Sequence, residues 1–263
     1  MSKSSEINQR NFIAKTKSYK ELADSLLEQE KLFLTEIKIT PQTAPLKYFS
    51  LANEMLNLTS YYLVIDGVSK SIFQNNDMEA LGAARKSVYK SIVYLETISS
   101  PLVDVPFSDY EEKLAGIASV NAGQRFFLAK KMGLTLELLK NAYGKNSKWR
   151  WFFVELEGRY AAVIKNIIDL RSAAGPQEPG SPDYEPMIYH VRLAKKSLME
   201  AADSYHEKYE FSGNNITDLA MGIRFLAALR RFNAMLGDKE GAEIAKKKHD
   251  VWVTKYEYNL KKN

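Results

Sequence analysis

Cysteine is absent from the 263 residues, which excludes disulfide frameworks, thiolate zinc sites, iron–sulfur clusters and cysteine nucleophiles. Glycine (13) and proline (8) are scarce, and a β-sandwich full of tight turns needs more of both. No run of eighteen apolar residues occurs, and the start from Met1 to Arg10 is polar, without the apolar stretch of a secretory signal. These absences point to a cytoplasmic protein with no integral membrane segment, and they make the sequons at Asn57 and Asn215 chance matches. The three histidines, His190, His206 and His249, are too scattered for a metal site, and Asp203 with His206 supplies only one imperfect copy of the paired motif a diiron bundle requires. The signatures HExxH, GxxxxGK[ST] and GxSxG are missing, and no GxGxxG follows a strand pattern. The expectation is therefore no metal, no cofactor and no catalytic residue.

What is present is ordinary globular composition, 45% hydrophobic and 26% charged residues. Thirty-seven basic against 32 acidic residues leave a net charge of +5. The basic runs Lys195-Lys196, Arg230-Arg231 and Lys246-Lys247-Lys248 are each followed or preceded by acidic residues, as on solvated helix faces, and no nucleic-acid-binding module matches. Nucleic acid is not an expected partner.

The apolar spacing reads as helix after helix. A first helix, from about Ser18 to Ile37, carries Leu22, Leu26 or Leu27, Leu32 and Leu34, with Ser18 and Glu21 at capping-box spacing. Pro41 and Pro45 end it. Residues 1–45 thus form a polar N-terminus and accessory helix, and residues 46–263 a helical-repeat domain. Within that domain the helices pair as 46–73 with 77–98, 109–131 with 134–143, 148–172 with 183–208, and 215–236 with 239–259. The joints Asn75–Glu79, Gly133–Glu137, Pro182–Glu185 and Gly237–Glu240 offer residues that end one helix, cap the next and place a carboxylate in its first turn. The expected fold is all-α, a stack of about four antiparallel helical hairpins.

A diffuse internal duplication is also legible, with halves at about 46–147 and 148–263. Gly116-Ile117 with Ala122, Arg125 and Phe126 reappears as Gly222-Ile223 with Ala228, Arg231 and Phe232. Ala84–Ser87 parallels Ala194–Ser197, and Tyr48-Phe49 with Glu54 parallels Trp151-Phe152 with Glu157. The segment from Asn233 through Gly237, Asp238, Glu240 and Ala242 to Ala245, echoed by Asn76 to Ala84, resembles the tetratricopeptide (TPR) class of helical repeats. The period here is about 50 residues against 34 in that class. The resemblance implies a right-handed α-solenoid that serves as a scaffold.

In such a solenoid the first helices line the groove. Asn121, Gln124, Arg125, Arg224, Arg230 and Arg231 then present donors to a protein partner, through an acidic segment or a C-terminal carboxylate. The alternative is that these arginines snorkel or pair with neighbouring carboxylates. Trp149 and Trp151 point about 200° apart on a helix, so one belongs to the core and the other is an anchor for a partner. The loop 171–182, rich in Pro and Gly, is a partner site or a tolerated insertion. The function expected from these features is a non-enzymatic protein–protein interaction scaffold or adaptor, with homo-oligomerisation also compatible. Two rivals stand beside it: a helical-bundle enzyme or ligand-binding protein with an interhelix pocket, and a basic peripheral module on membrane or nucleic acid.

Overall fold

The computed structural model describes residues 3–144, 148–176 and 178–261. Among the described residues all regular structure is helical: α1 (Lys3–Ile39), α2 (Ala44–Phe73), α3 (Met78–Thr97), α4 (Glu111–Ala115), α5 (Ala122–Tyr143), α6 (Arg150–Asn166), α7 (Leu170–Ala174), α8 (Tyr184–Phe211), α9 (Ile216–Met235) and α10 (Lys239–Leu260). Short 3-10 turns occupy Pro41–Thr43 and Phe107–Asp109. The chain is all-α, as its sequence indicates. It divides into two compact units, one made of the chain through Thr97 with the segment from Lys131, the other of Ile98–Lys130 with the chain from Lys148 onward. Residues 98–130, expected in the first half, thus belong with the second unit, and the accessory helix α1 belongs with α2 and α3. Gln177 of the Pro/Gly loop and the expected half boundary at residue 147 lie outside the described residues.

In the first unit α1 is far longer than the sequence suggested. Ser18 and Glu21 lie in its interior, so they form no capping box. Its inward positions are Phe12, Thr16, Tyr19, Ala23, Leu26, Glu30, Phe33 and Ile37, spaced alternately by four and three residues. That 3.5-residue seam is the pattern of a helix laid along its neighbours, and it leaves Leu22 and Leu32 exposed. The helices α2 and α3 run antiparallel. Ser91 Oγ donates to Ala52 O at 2.7 Å, and Asp77 N donates to Asp66 Oδ1 at 2.7 Å, so contacts climb along one helix as they descend the other. Asp77 also caps α3, accepting from Glu79 N and Ala80 N.

In the second unit α6, α8, α9 and α10 alternate in direction. Lys208 meets Glu155 near the start of α6 and Asp218 at the start of α9, whereas His190, near the start of α8, faces Ile164 at the far end of α6. Glycine sets two of these approaches. A Cβ on Gly158 would stand 2.8 Å from Tyr205 Cε2, and one on Gly222 would stand 3.0 Å from Trp252 Cζ3 and 3.2 Å from Ala202 O, so a side chain at either position would push the helices apart. Two expected joints hold, at Asp77, which caps α3, and at Asp238, which accepts from Gly241 N at 2.8 Å. Asn215 likewise caps α9, accepting from Thr217 N at 3.1 Å.

Two other expectations fail. The turn at Gly133 does not form: α5 continues through it, because Leu128, Ala129, Met132, Leu136 and Leu139 keep one buried stripe at helical spacing, and that burial outweighs the roughly 1 kcal/mol a helical glycine costs. The break lies earlier, between α4 and α5, so no helix spans 109–131. Gly116-Ile117 therefore sits in a turn while Gly222-Ile223 sits inside α9, and the strongest of the internal matches joins unlike places in the fold.

Candidate functional site

The polar residues singled out in the sequence separate into two groups. Asn121 and Gln124 are a reciprocal cap on α5. Asn121 Oδ1 accepts from Gln124 N at 2.8 Å and Gln124 Oε1 accepts from Asn121 N at 3.1 Å, which satisfies two of the amides a helix start leaves unpaired. The Asn-x-x-Gln spacing was visible in the sequence, and it reads as a cap rather than as a pair of groove donors.

Arg125, one residue further on, is 5% exposed. Its guanidinium donates to three backbone carbonyls, Val120 O at 2.9 Å, Ile167 O at 3.0 Å and Ile117 O at 2.8 Å. Those carbonyls belong to the turn before α5 and to the residue that follows α6, where the helix dipole favours a cation. Burial pushes its pKa down, partly countered by Asp169 and Asp183. Arg125 is therefore a fastener inside the second unit, and its expected place on a groove is corrected.

Arg224, Arg230 and Arg231 all lie exposed on α9. Seven residues place Arg224 and Arg231 on one face with Ala227 between them, and Arg230 flanks that face. Arg231 Nε lies 3.2 Å from Asp104 Oδ1, the two side chains being 44% and 25% exposed. Arg224 and Arg230 make no ion pair among the described residues. Of the six residues expected to line a groove, these three are the ones exposed on α9.

Beneath its Arg231 end lies a polar layer that the sequence did not disclose. The non-helical segment Ile98–Val105 is fastened to the last turn of α6. Asn166 Nδ2 donates to Ser100 O at 2.7 Å and Leu102 O at 3.0 Å, and Lys165 Nζ donates to Val103 O at 2.8 Å. Lys165 is 4% exposed, and burial pulls its pKa down to about 8, with Asp104 acting to raise it and Arg231 to lower it. Three oxygens in this layer, Asp104 Oδ1, Asn166 Oδ1 and the Tyr110 hydroxyl, are buried without a hydrogen-bond partner among the described residues. Lys165 and Asn166 fall inside the helix expected over 148–172, which ends at Asn166 instead, and no local pattern marks them as buried donors.

The aromatic expectation also changes. Trp149 and Trp151 are both half-exposed, so neither is the core tryptophan. The Arg150 guanidinium lies 4.6 Å above the Trp151 ring. The buried tryptophan is Trp252, stacked on His206 with centroids 4.5 Å apart.

In the first unit a cleft of about 580 Å³ is lined by residues that include Asp24, Leu27, Glu30, Leu34, Lys90 and Tyr94. Its buried carboxylate is already engaged: Glu30 accepts from Lys90 Nζ at 2.9 and 2.7 Å and from the Tyr94 hydroxyl. Among the described residues no group of three or more His, Asp or Glu could hold a metal ion, and no helix is long and apolar enough to cross a membrane.

Among families of known proteins, the model described as the TP0443 family matches residues 8–260, so the chain belongs to that family. No curated protein and no solved structure matches it.

Proposed function

We propose that this TP0443-family chain is a protein–protein interaction adaptor whose helical hairpins, TPR-like in their packing, present α9 to an acidic segment of a protein partner. The observation that carries the reading is the exposure of Arg224, Arg230 and Arg231 on one helix, with two of the three lacking an ion-pair partner among the described residues. Exposed guanidiniums at fixed spacing recognise carboxylates by forked hydrogen bonds, and the small Ala227 between two of them lets a second chain approach the helix. The consecutive antiparallel pairs α2–α3, α8–α9 and α9–α10 suit such a role, because stacked hairpins leave long helix faces available.

The test is capture of partners from the native organism with the wild-type chain and with the double variant Arg224→Glu/Arg230→Glu. The expected outcome is a partner retained by the first and lost by the second. A full set of partners still held by the double variant overturns the reading.

A second reading, a polar ligand held between helices, draws on the buried oxygens of Asp104, Tyr110 and Asn166 that make no hydrogen bond among the described residues, beside Lys165. A high-resolution crystal structure decides it: ordered water satisfying all three oxygens removes the need for a ligand.

A further inference from the structure

Resting on the reading of α9 as the partner-binding helix, we propose that Asp104 is an internal stand-in for the partner's carboxylate, and that an incoming acidic segment displaces it from Arg231.

The contact between Asp104 and Arg231 is built to be exchanged. A strong arginine–carboxylate pair forks into two parallel hydrogen bonds. Here the approach is a single one, Nε to Oδ1 at 3.2 Å, and Oδ1 accepts no hydrogen bond from any described residue. The backbone around Asp104 is fastened separately, through Ser100 O and Leu102 O to Asn166 and through Val103 O to Lys165. The side chain of Asp104 can leave Arg231 without unfastening the chain that carries it. A second cation is at hand for the displaced carboxylate, since Lys165 lies within electrostatic reach of Asp104. Arg231, by contrast, keeps only its solvent-facing position when Asp104 departs.

The stand-in also describes what replaces it. Asp104 is flanked by Val103 and Val105, which stay buried with the fastened backbone, and preceded by exposed Leu102, so an incoming carboxylate reaches Arg231 beside an exposed aliphatic side chain. Arg224 lies seven residues back along α9, about 10.5 Å at 1.5 Å per residue. A polyproline-II segment, with three residues per turn and 3.1 Å per residue, covers about 9.3 Å in three residues and turns both of those side chains to the same face. The partner class is therefore a peptide segment with two carboxylates about three residues apart, the one that replaces Asp104 lying next to an apolar residue that can cover Leu102.

The experiment uses the full chain and a labelled ten-residue peptide with two Asp residues three apart, the first flanked by valines, read by fluorescence anisotropy at low and moderate salt. Asp104→Asn, close in shape and without the charge, is expected to bind about threefold tighter than wild type, the scale of a partly exposed ion pair. Arg224→Glu is expected to bind at least tenfold more weakly. A matching urea midpoint certifies that Asp104→Asn is folded, and Asp104→Ser repeats the comparison where it is not. Equal affinity of wild type and Asp104→Asn, with Arg224→Glu still weakened, overturns the stand-in and leaves the α9 reading in place. Binding that is absent in every form, or indifferent to Arg224→Glu, overturns both. Tighter binding of an oligonucleotide of equal charge overturns the assignment to a peptide.

Discussion

Glu30 and Lys90 form a carboxylate–ammonium pair across α1 and α3 in which only the carboxylate is buried: the Glu30 side chain is 6% exposed and that of Lys90 45%. Both Glu30 oxygens accept from Lys90, and the Tyr94 hydroxyl donates to one of them. Burial, with Glu30 beside it, holds the Tyr94 hydroxyl well above the usual tyrosine range. A polar residue at an inward position of a 3.5-residue seam favours one register of the helix that carries it, and Glu30 is the residue of α1 so placed.

Removing that carboxylate leaves the phenol without its acceptor while Lys90 turns to water. Glu30→Ala is expected to lower stability by about 2 kcal/mol, the cost of an orphaned buried hydroxyl plus a lost charged hydrogen bond, measured by urea unfolding. A loss below about 0.5 kcal/mol would show that α1 is held by its apolar seam alone.

Arg125 and Arg224 should part company in the same assay. Arg125→Met strands the carbonyls of Ile117, Val120 and Ile167, and several orphaned acceptors at about 1 kcal/mol or more each predict a loss of roughly 3 kcal/mol. Arg224→Glu, on an exposed face, should change stability by less than about 0.5 kcal/mol. Similar losses for the two would contradict the division between fastener and exposed face.

His190 is buried and neutral. Burial is the main cause of a pKa lowered to about 3, the hydrogen bond with Ile164 O opposing it and the Arg125 charge reinforcing it. As pH falls below about 6.5 the unfolded chain binds a proton that the folded chain refuses, so stability is lost through the window from 6.5 down to 3, by at most about 1.4 kcal/mol per pH unit. The difference in unfolding free energy between wild type and His190→Phe should carry this slope. A difference that is flat with pH across the window removes His190 as its source.

Lys165 acts in the opposite pH range. Its folded value of about 8 lies below the usual lysine value of 10.5, so between those limits the unfolded chain is the better proton binder and stability rises with pH, by about 3 kcal/mol in total at most. Lys165→Met should lack this alkaline rise in paired urea titrations at pH 7.5, 9 and 10. Parallel curves for the two proteins would place the amine in water rather than in the layer under Asp104.

The helical class was legible because it rests on local facts. Apolar spacing recurs at helical intervals, breakers are few, and Asn215 and Asp238 cap the helices that follow them as their neighbours in sequence require. The Asn121–Gln124 cap was equally local, yet it took the fold to show that these side chains are spent on the helix start. Where the sequence misled, a long-range contact had changed the outcome. Gly133 looks like a joint until the buried stripe on both sides of it is seen to be continuous.

The sequence by itself determined that this chain is built of amphipathic helices, where most of them begin, and which arginines share a face, since each of these follows from residues within a turn or two of one another. Only the tertiary structure decided which arginine is buried and which stay exposed. Arg125 and Arg231 look alike in sequence, and what separates them is three carbonyls in one case and Asp104 in the other, brought to them by chain from elsewhere in the fold.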